Sequence, residues 1–217
     1  MTDQKRVIVL LGKPGAGKGT QGAALSKAFG WAHISTGDLL REEMLRDTAD
    51  GVKLRGIMER GQLVSAEIVV PILCRKIEAT EASGVILDGF PRNLAQAELL
   101  AQNGVVVTDV LYFDVEDDEV ISRLSGRWIH KPSGRVYHEV NNPPKVSGID
   151  DVTGEQLVKR SDDSRDVIAK RLDVYRSETQ PLLSYYEGLK GVQLHQLDVS
   201  HKAISVIQES VLSIFQR

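Results

Sequence analysis

The sequence predicts an α/β protein, a three-layer fold around a five-stranded parallel sheet. Short apolar runs rich in β-branched residues recur along the chain, as in strands buried on both faces. Helical patterns separate these runs, which makes βαβ units and a parallel sheet covered by helices on either face. Each long run closes on a Gly or an Asp, at the strand ends outside which such sheets bind ligands.

Taken in order, Val7–Leu11 is the first run, ended by Gly12. A Gly-rich turn follows, and Gln21–Phe29 reads as a helix closed by Gly30. His33-Ile34 is a short strand, and helical patterns occupy Asp38–Arg46, Val52–Arg60 and Ala66–Glu78. Val85–Leu87 is a strand ending in Asp88-Gly89, followed by a helix over Leu94–Gln102. Val110–Phe113 is a strand ending in Asp114, followed by a helix over Glu116–Leu124. A long helical pattern spans Ser164–Tyr186; a strand over Val192–Leu197 ends in Asp198, and a last helix covers His201–Phe215. Two regions break the rhythm. Residues 35–64 hold helices and no strand. Residues 128–163 hold Pro132, Pro143, Pro144, Gly134, Gly148 and Gly154 with short runs such as Arg135-Val136-Tyr137, the pattern of a small β-hairpin insertion. Long excursions from a compact core are often lids or binding loops.

The chain of 217 residues suits one main domain with appendages. Its 41% apolar and 26% charged residues are ordinary for a soluble globular protein and argue against disorder. Lys and Arg number 27 against 30 Asp and Glu, a formal charge of −3, so a nucleic-acid partner is not expected. Cys74 is the only cysteine, which excludes an intramolecular disulfide and a multi-cysteine zinc site. Val7–Leu11 is too short for a signal-peptide core or a bilayer span, and nothing else approaches one. The expectation is therefore a cytoplasmic protein with no membrane partner. No extended apolar surface demands an oligomer, and a monomer is expected.

Gly12-Lys13-Pro14-Gly15-Ala16-Gly17-Lys18-Gly19-Thr20 sits between the first strand and the first helix. Gly12, four residues, then Gly17-Lys18 is the opening of a phosphate-binding P-loop in its proper context. Glycines let backbone N–H groups turn toward phosphate oxygens, the helix N-terminus adds positive potential, and Lys18 would reach the outer phosphates. The usual Ser or Thr after the Lys, a Mg²⁺ ligand, is here Gly19, with Thr20 one later. Asp88, at a strand end, is the candidate to help hold the magnesium, through water.

With Asp88-Gly89-Phe90-Pro91-Arg92 and Gln96, joined to the P-loop and to Ile34-Ser35-Thr36-Gly37-Asp38, the chain closely resembles the adenylate kinase family. Gly126-Arg127-Trp128-Ile129-His130 through Ser133-Gly134-Arg135-Val136-Tyr137-His138 looks like the lid of its long form. Asn142-Pro143-Pro144-Lys145, Asp150 to Gly154 and Arg160 to Asp163 fit as well. The resemblance implies Mg-dependent, reversible transfer of a phosphoryl group from ATP to AMP, giving two ADP. It also implies a core of residues 1–34, 65–125 and 164–217, a helical AMP-binding insertion at 35–64 and a lid at 126–163. On this resemblance Gly15, Ala16, Gly17, Lys18, Gly19 and Thr20 hold the ATP phosphates. Arg127, Val136 and Tyr137 meet ATP from the lid, and backbone near His201 faces its adenine. Thr36, Arg41, Gln62, Leu63, Val64, Gly89, Phe90, Pro91, Arg92 and Gln96 hold AMP. Arg160 and Arg171 clamp the phosphates between the nucleotides, and Arg123 assists.

The chemistry accounts for these residue types. Phosphoryl transfer needs positioning and charge neutralisation more than covalent help. ATP and AMP bring about six negative charges, of which one Mg²⁺ offsets two. Arginine meets phosphate in two places and stays charged. No general base is needed, because the AMP phosphate is already an oxyanion. Arginines on a moving lid would complete the charged cage only on closure, which protects ATP from water. Asp162 and Asp163 could equally cap a helix or hold neighbouring arginines, and Thr36 could cap a helix as well as line the AMP pocket. Cys74 lies in an apolar pattern and reads as structural.

Some lids of this family carry a zinc site of cysteines. Here His130, Ser133, Asp150 and Thr153 stand at those positions, groups that can hydrogen-bond to one another as a polar staple, so no zinc is expected. Val199 stands where the family often has Gly, and Trp128 where some relatives have a second Arg. The donor base, ATP or GTP, stays open, as do a kinase for UMP, CMP or GMP and a non-catalytic nucleotide sensor. A sensor would be expected to lose one of Lys18, Arg92, Arg127, Arg160 or Arg171, and all five are present.

Overall fold

Alternation along the first strand sets the architecture. In β1 (Arg6–Gly12), Val7, Val9 and Leu11 pack into one apolar cluster and Ile8 and Leu10 into another, as a period of two requires. The computed structural model describes residues 5–44, 49–60 and 62–216. The chain continues through α1 (Lys18–Phe29), β2 (Ala32–Ser35), α2 (Thr36–Met44), α3 (Ala49–Glu59) and α4 (Ala66–Glu78). Next come β3 (Gly84–Asp88), α5 (Leu94–Gln102), β4 (Asp109–Asp114) and α6 (Asp117–Ser125). A hairpin of β5 (Arg127–Ile129) and β6 (Val136–His138) precedes α7 (Arg165–Val174), α8 (Leu182–Glu187), β7 (Gln193–Asp198) and α9 (Ile204–Phe215). The end of the helix expected over 38–46 lies partly outside the described residues.

The main sheet has five parallel strands in the order β2-β3-β1-β4-β7. One face carries α2, α3, α4, α5 and α8, through side chains such as Leu40, Leu54, Leu73, Leu100 and Leu182. The other carries α1, α6, α7 and α9, through Leu25, Leu124, Ile168 and Val211. Ile8, Val9, Val85, Ile86, Leu87, Val110 and Leu111 are fully buried, each such side chain contributing about 1.5–3 kcal/mol. The chain leaves β1 for β2 and β3 on one side, then crosses from β3 past β1 to β4 on the other. The crevice at the carboxyl end of β1 is therefore the topological switch point.

The helix expected over Ser164–Tyr186 is three pieces. After α7 the chain widens into a π-helical turn, Tyr175–Thr179, whose closing bond runs from Gln180 N–H to the Tyr175 carbonyl. Pro181 has no N–H to continue the ladder, and the Thr179 hydroxyl donates instead to the Arg92 carbonyl (2.6 Å). The last helix starts at Ile204, not His201, because His201 lies in the left-handed region at φ 54°. The insertion after α6 is stitched by backbone pairing: β5 joins β6 antiparallel, Ile129 bridges Val158, and Ile149 bridges Gln156. Among the described residues no helix is long and apolar enough to cross a membrane.

Candidate active site

The loop after β1 is shaped by two glycines. Gly12 adopts φ 144°, and a Cβ there would lie 2.6 Å from the Phe113 carbonyl oxygen of the neighbouring strand. Gly17 enters α1 in the left-handed region, and no side chain caps the helix or places an acid in its first turn. The first N–H groups of α1 are thus left for an anion. Lys18 folds back over the loop and donates to the Gly12 (2.7 Å) and Lys13 (2.8 Å) carbonyls. Burial, with Arg92, Arg171 and Arg127 close by, pulls its amine down to about 8 against the opposing pull of Asp88. Lys13 is tied away from the loop mouth, to the Val115 carbonyl (2.6 Å) and Asp117 (2.8 Å). Ala16 is buried within the core, Gly19 is exposed and Thr20 half-buried.

Around this loop the fold gathers six cations. Lys18, Arg41, Arg92, Arg127, Arg160 and Arg171 form one electrostatically linked set, in which Lys18 feels Arg92, Arg127 and Arg171, and Arg41 acts on Arg92, Arg160 and Arg171. Burial, then its neighbouring cations, pushes Arg92 down to about 10, and burial with Arg127 and Arg41 does the same to Arg160; both stay charged at neutral pH. Four aspartates divide them. Asp163 accepts from Arg127 Nε (2.8 Å) and Nη2 (2.6 Å) and from Arg171 (3.3 Å). Asp162 pairs with Arg171 at 3.0 Å. Asp38 pairs with Arg41 at 2.6 Å and lies 3.6 Å from Arg160, which links the far insertion to α2. Of the two roles open to Asp162 and Asp163, the structure shows them holding arginines, while Ser164 occupies the position before α7.

Asp88 ends β3 beside the loop. Burial opposes its charge, but the His33 imidazole, Lys18 and Arg92 overcome that and hold its carboxyl below the ordinary range. Its Oδ2 lies 3.4 Å from His33 Nε2, and a Cβ at Gly19 would sit 3.2 Å from that same oxygen. The missing side chain at Gly19 therefore keeps space open next to an ionised carboxylate. One carboxylate plus phosphate oxygens and water is a donor set that suits Mg²⁺, so the residues present fit that ion. Among the described residues no three of His, Cys, Asp and Glu are grouped to hold a metal by themselves.

A second pocket wall forms between α2, residues 62–64 and the segment after β3. Thr36 is buried, and its hydroxyl has no hydrogen-bond partner among the described residues. Gln96 is buried in the first turn of α5, where Asn93 caps the helix by accepting from the Gln96 N–H (2.9 Å). Its amide donates to the Val64 carbonyl (3.1 Å) and accepts from the Arg92 N–H (2.7 Å). Arg92 in turn donates to the Gly89 carbonyl (2.8 Å), across a cis Phe90–Pro91 peptide with both residues buried. Leu63 is half-buried and Gln62 exposed.

Not every expected residue joins the cluster. Arg123 stands apart, bound to Glu119 and to the Val199 carbonyl (2.8 Å). Tyr137 turns inward: its hydroxyl donates to Asp150 (3.0 Å) and accepts from the Asp151 N–H (2.9 Å), so its ring is not free for a ligand, whereas the neighbouring Val136 side chain is exposed. The four residues His130, Ser133, Asp150 and Thr153 do meet. His130 Nδ1 lies 2.7 Å from Ser133 Oγ, and Thr153 Oγ1 donates to Asp150 (2.9 Å) and lies 3.2 Å from His130 Nε2. Sequence reasoning missed three further members. Arg135 forks onto Asp150 (2.8 and 2.7 Å), Tyr137 joins as above, and Glu155 lies 2.5 Å from His130 Nε2. Donation from Nε2–H to Glu155, with Nδ1 accepting from Ser133, satisfies the ring in one neutral tautomer. The bond from Arg135 holds the Asp150 carboxyl far below its ordinary value. Alternation in Arg135-Val136-Tyr137 was the available signal for the inward Tyr137. His201 is exposed, its N–H donating to Glu119 (2.8 Å).

Two surface cavities, of about 380 and 260 Å³, lie elsewhere, the first beside Arg6 and His195 and the second between β7 and α9. The convergence of charge, not these hollows, marks the site. A buried set of cations outnumbering its aspartates, at the mouth of a phosphate loop, suits a polyanion and nothing neutral. The family model described as adenylate kinase matches residues 10–190 of the chain.

Proposed function

The chain belongs to the adenylate kinase family of phosphotransferases, and from that premise we propose that it moves one phosphoryl group from MgATP to AMP, giving two ADP. Nucleoside monophosphate kinase activity is what the family performs; ATP and AMP as the pair, and Mg²⁺ as the ion, are the proposal. The observation that carries it is the gathering of Lys18, Arg41, Arg92, Arg127, Arg160 and Arg171 around one loop mouth. Their mutual repulsion is relieved only in part by Asp38, Asp88, Asp162 and Asp163. Two nucleotides meeting head to head supply the remaining negative charge.

In this reading residues 15–20 cradle the donor phosphates with backbone N–H groups, and Lys18 leaves the Gly12 and Lys13 carbonyls to reach them. Arg92 and Arg41 take the AMP phosphate. Arg160 and Arg171 span the transferring group, and Arg127 closes from the insertion at 126–163, which acts as the lid. Val136 and Tyr137 contribute backbone to the donor. Residues 35–64 form the acceptor insertion, where Thr36 offers its unused hydroxyl beside the 62–64 backbone, Gly89, Phe90 and Pro91. Gln96 is fixed by Val64 and Arg92 yet keeps one N–H and one lone pair for a base. Magnesium, when bound with the donor, would offset two phosphate charges, with Asp88 holding its water shell. The AMP oxyanion attacks in line, so no side chain has to remove a proton. Positioning of this kind supplies roughly 7–11 kcal/mol of the barrier.

A coupled assay across each pair of ATP or GTP with AMP, GMP, CMP or UMP tests the assignment. AMP with ATP is expected to dominate. Turnover with another monophosphate, and none with AMP, would replace the reading. Absence of transfer with every pair would leave a nucleotide sensor.

A further inference from the structure

We propose that Thr179 is a positioning residue for the acceptor half of the reaction: from the π-helical turn it holds the backbone that carries Arg92, and so fixes that guanidinium against Arg171. This rests on the ATP:AMP reading above. Thr179 is buried, and its hydroxyl donates to the Arg92 carbonyl (2.6 Å), 87 residues away in the chain. On the other side of the same residue, the Arg92 N–H donates to Gln96 Oε1 (2.7 Å). The backbone at Arg92 is thereby clamped at both of its polar groups, once from α5 and once from the run that continues α7. Among the described residues only Nε of the Arg92 side chain is bonded, to the Gly89 carbonyl (2.8 Å), which leaves both Nη groups for a phosphate.

The π turn brings Thr179 to that place. Ile168 and Leu172 of α7 pack on one face of the sheet, whereas Leu182 and Tyr186 of α8 pack on the other. The helical run therefore crosses the carboxyl edge of the sheet at Tyr175–Thr179. Such turns are rare and recur at functional sites. This one is tied down along its length. Tyr175 is buried, and its hydroxyl donates to that of Tyr112, which donates to Asp114 at the end of β4 (3.2 Å). Arg176 pairs with Asp117, the carboxylate that also pairs with Lys13 of the P-loop (2.8 Å). Electrostatics supplies the reason for the last tie. Arg92 is buried, and Arg171 is the cation that opposes its charge most. Like charges set no spacing of their own, so bonds to other groups must set it. Arg171 is pinned by Asp162 (3.0 Å) and Asp163 (3.3 Å), and Thr179, on the same run, pins Arg92. One helical run thus fixes the acceptor's arginine relative to the arginine on the transferring group, where a misplacement of about 1 Å costs on the order of a hundredfold in rate.

Thr179→Val keeps the shape and removes the donor, while Thr179→Ser keeps the donor. Initial rates with AMP and ATP varied in turn are the measurement, alongside melting temperature, in the parent and in an Arg92→Lys background. Thr179→Val is expected to lower kcat/KM for AMP about tenfold, the effect of one orphaned buried carbonyl, with the KM for ATP within about twofold. Thr179→Ser should stay within about twofold in every parameter. In Arg92→Lys no guanidinium is left to aim, so adding Thr179→Val should cost less than about twofold. Equal losses in the two backgrounds, a parallel rise in both KM values with a lower melting temperature, or an unchanged kcat/KM for AMP would overturn the proposal. If the valine variant fails to fold, Thr179→Cys, a weaker donor, decides it: about a threefold loss confined to AMP upholds the proposal, and no loss overturns it. Absence of ATP:AMP transfer in the parent protein would instead remove the functional reading on which this one stands.

Discussion

Lys18 shows how one side chain is loaded by its surroundings. Its amine sits near 8 in the folded protein, against an ordinary 10.5, because burial and three arginines disfavour its charge. Between those values the unfolded chain holds more protons than the native one, so Lys18's share of stability grows as pH rises from 8 to 10.5. A bound polyanion reverses the imbalance and restores the charged form. Binding of a bisubstrate analogue at pH 8.5 is therefore expected to take up part of a proton, and at pH 6.5 none, read by calorimetry in two buffers of different ionisation enthalpy. Lys18→Met should abolish that uptake and cut transfer at least a thousandfold, roughly 4 kcal/mol, with the circular dichroism spectrum unchanged. Uptake persisting in the variant would locate the titrating group elsewhere. The motif made Lys18 legible at once. Its depressed pKa was not, because Arg92, Arg127 and Arg171 reach it from other elements.

At the scale of elements, the insertion at 126–163 is held by a hydrogen-bond network centred on buried Asp150 and His130. Asp150 accepts from Arg135, Tyr137, Thr153 Oγ1 and the Val152 and Thr153 N–H groups. Removing that acceptor orphans several donors at once, a more costly change than losing any one bond. Asp150→Ala is expected to lose amide-exchange protection across 126–158 while β1, β3 and β4 keep theirs. Chelator treatment should leave the melting temperature of the parent unchanged; a shift would show a metal in the insertion. Because the Asp150 pKa is depressed, its contribution is complete above the ordinary carboxylate range and fades only as pH falls toward the native value. Four network members followed from the family resemblance, as the positions where some lids carry cysteines. Arg135, Tyr137 and Glu155 did not, since each meets its partner across a hairpin.

For the whole molecule, the segment after β6 meets α2 and α3. Arg160 faces Asp38, and the short 3₁₀ turn at Ser161–Asp163 touches α3. The cations are thus presented together from the core and both insertions, and a ligand that bridges them should tie the parts into one cooperative unit. At about a hundred times its Kd, a bisubstrate analogue is expected to stabilise by about 2.7 kcal/mol, or a rise of about 5–10 °C in Tm for a chain of this size. AMP alone at the same multiple of its Kd should give the same shift if the molecule unfolds as one unit, whereas amide-exchange protection in 126–163 is expected to rise with the bridging analogue and not with AMP.

The sequence by itself determined the parallel α/β core and the P-loop between β1 and α1. Apolar periodicity, glycine position and helix caps act over a few residues, and they are written in the order of the chain. Only the tertiary structure decided how charges are shared: Asp163 with Arg127 across 36 residues, Glu119 with His201 across 82. It likewise set Arg123 apart from the other arginines, turned Tyr137 inward and broke the helix after Val174 at Arg92's carbonyl. Such pairings depend on distances between elements far apart in the chain, and those distances exist only once the core has packed.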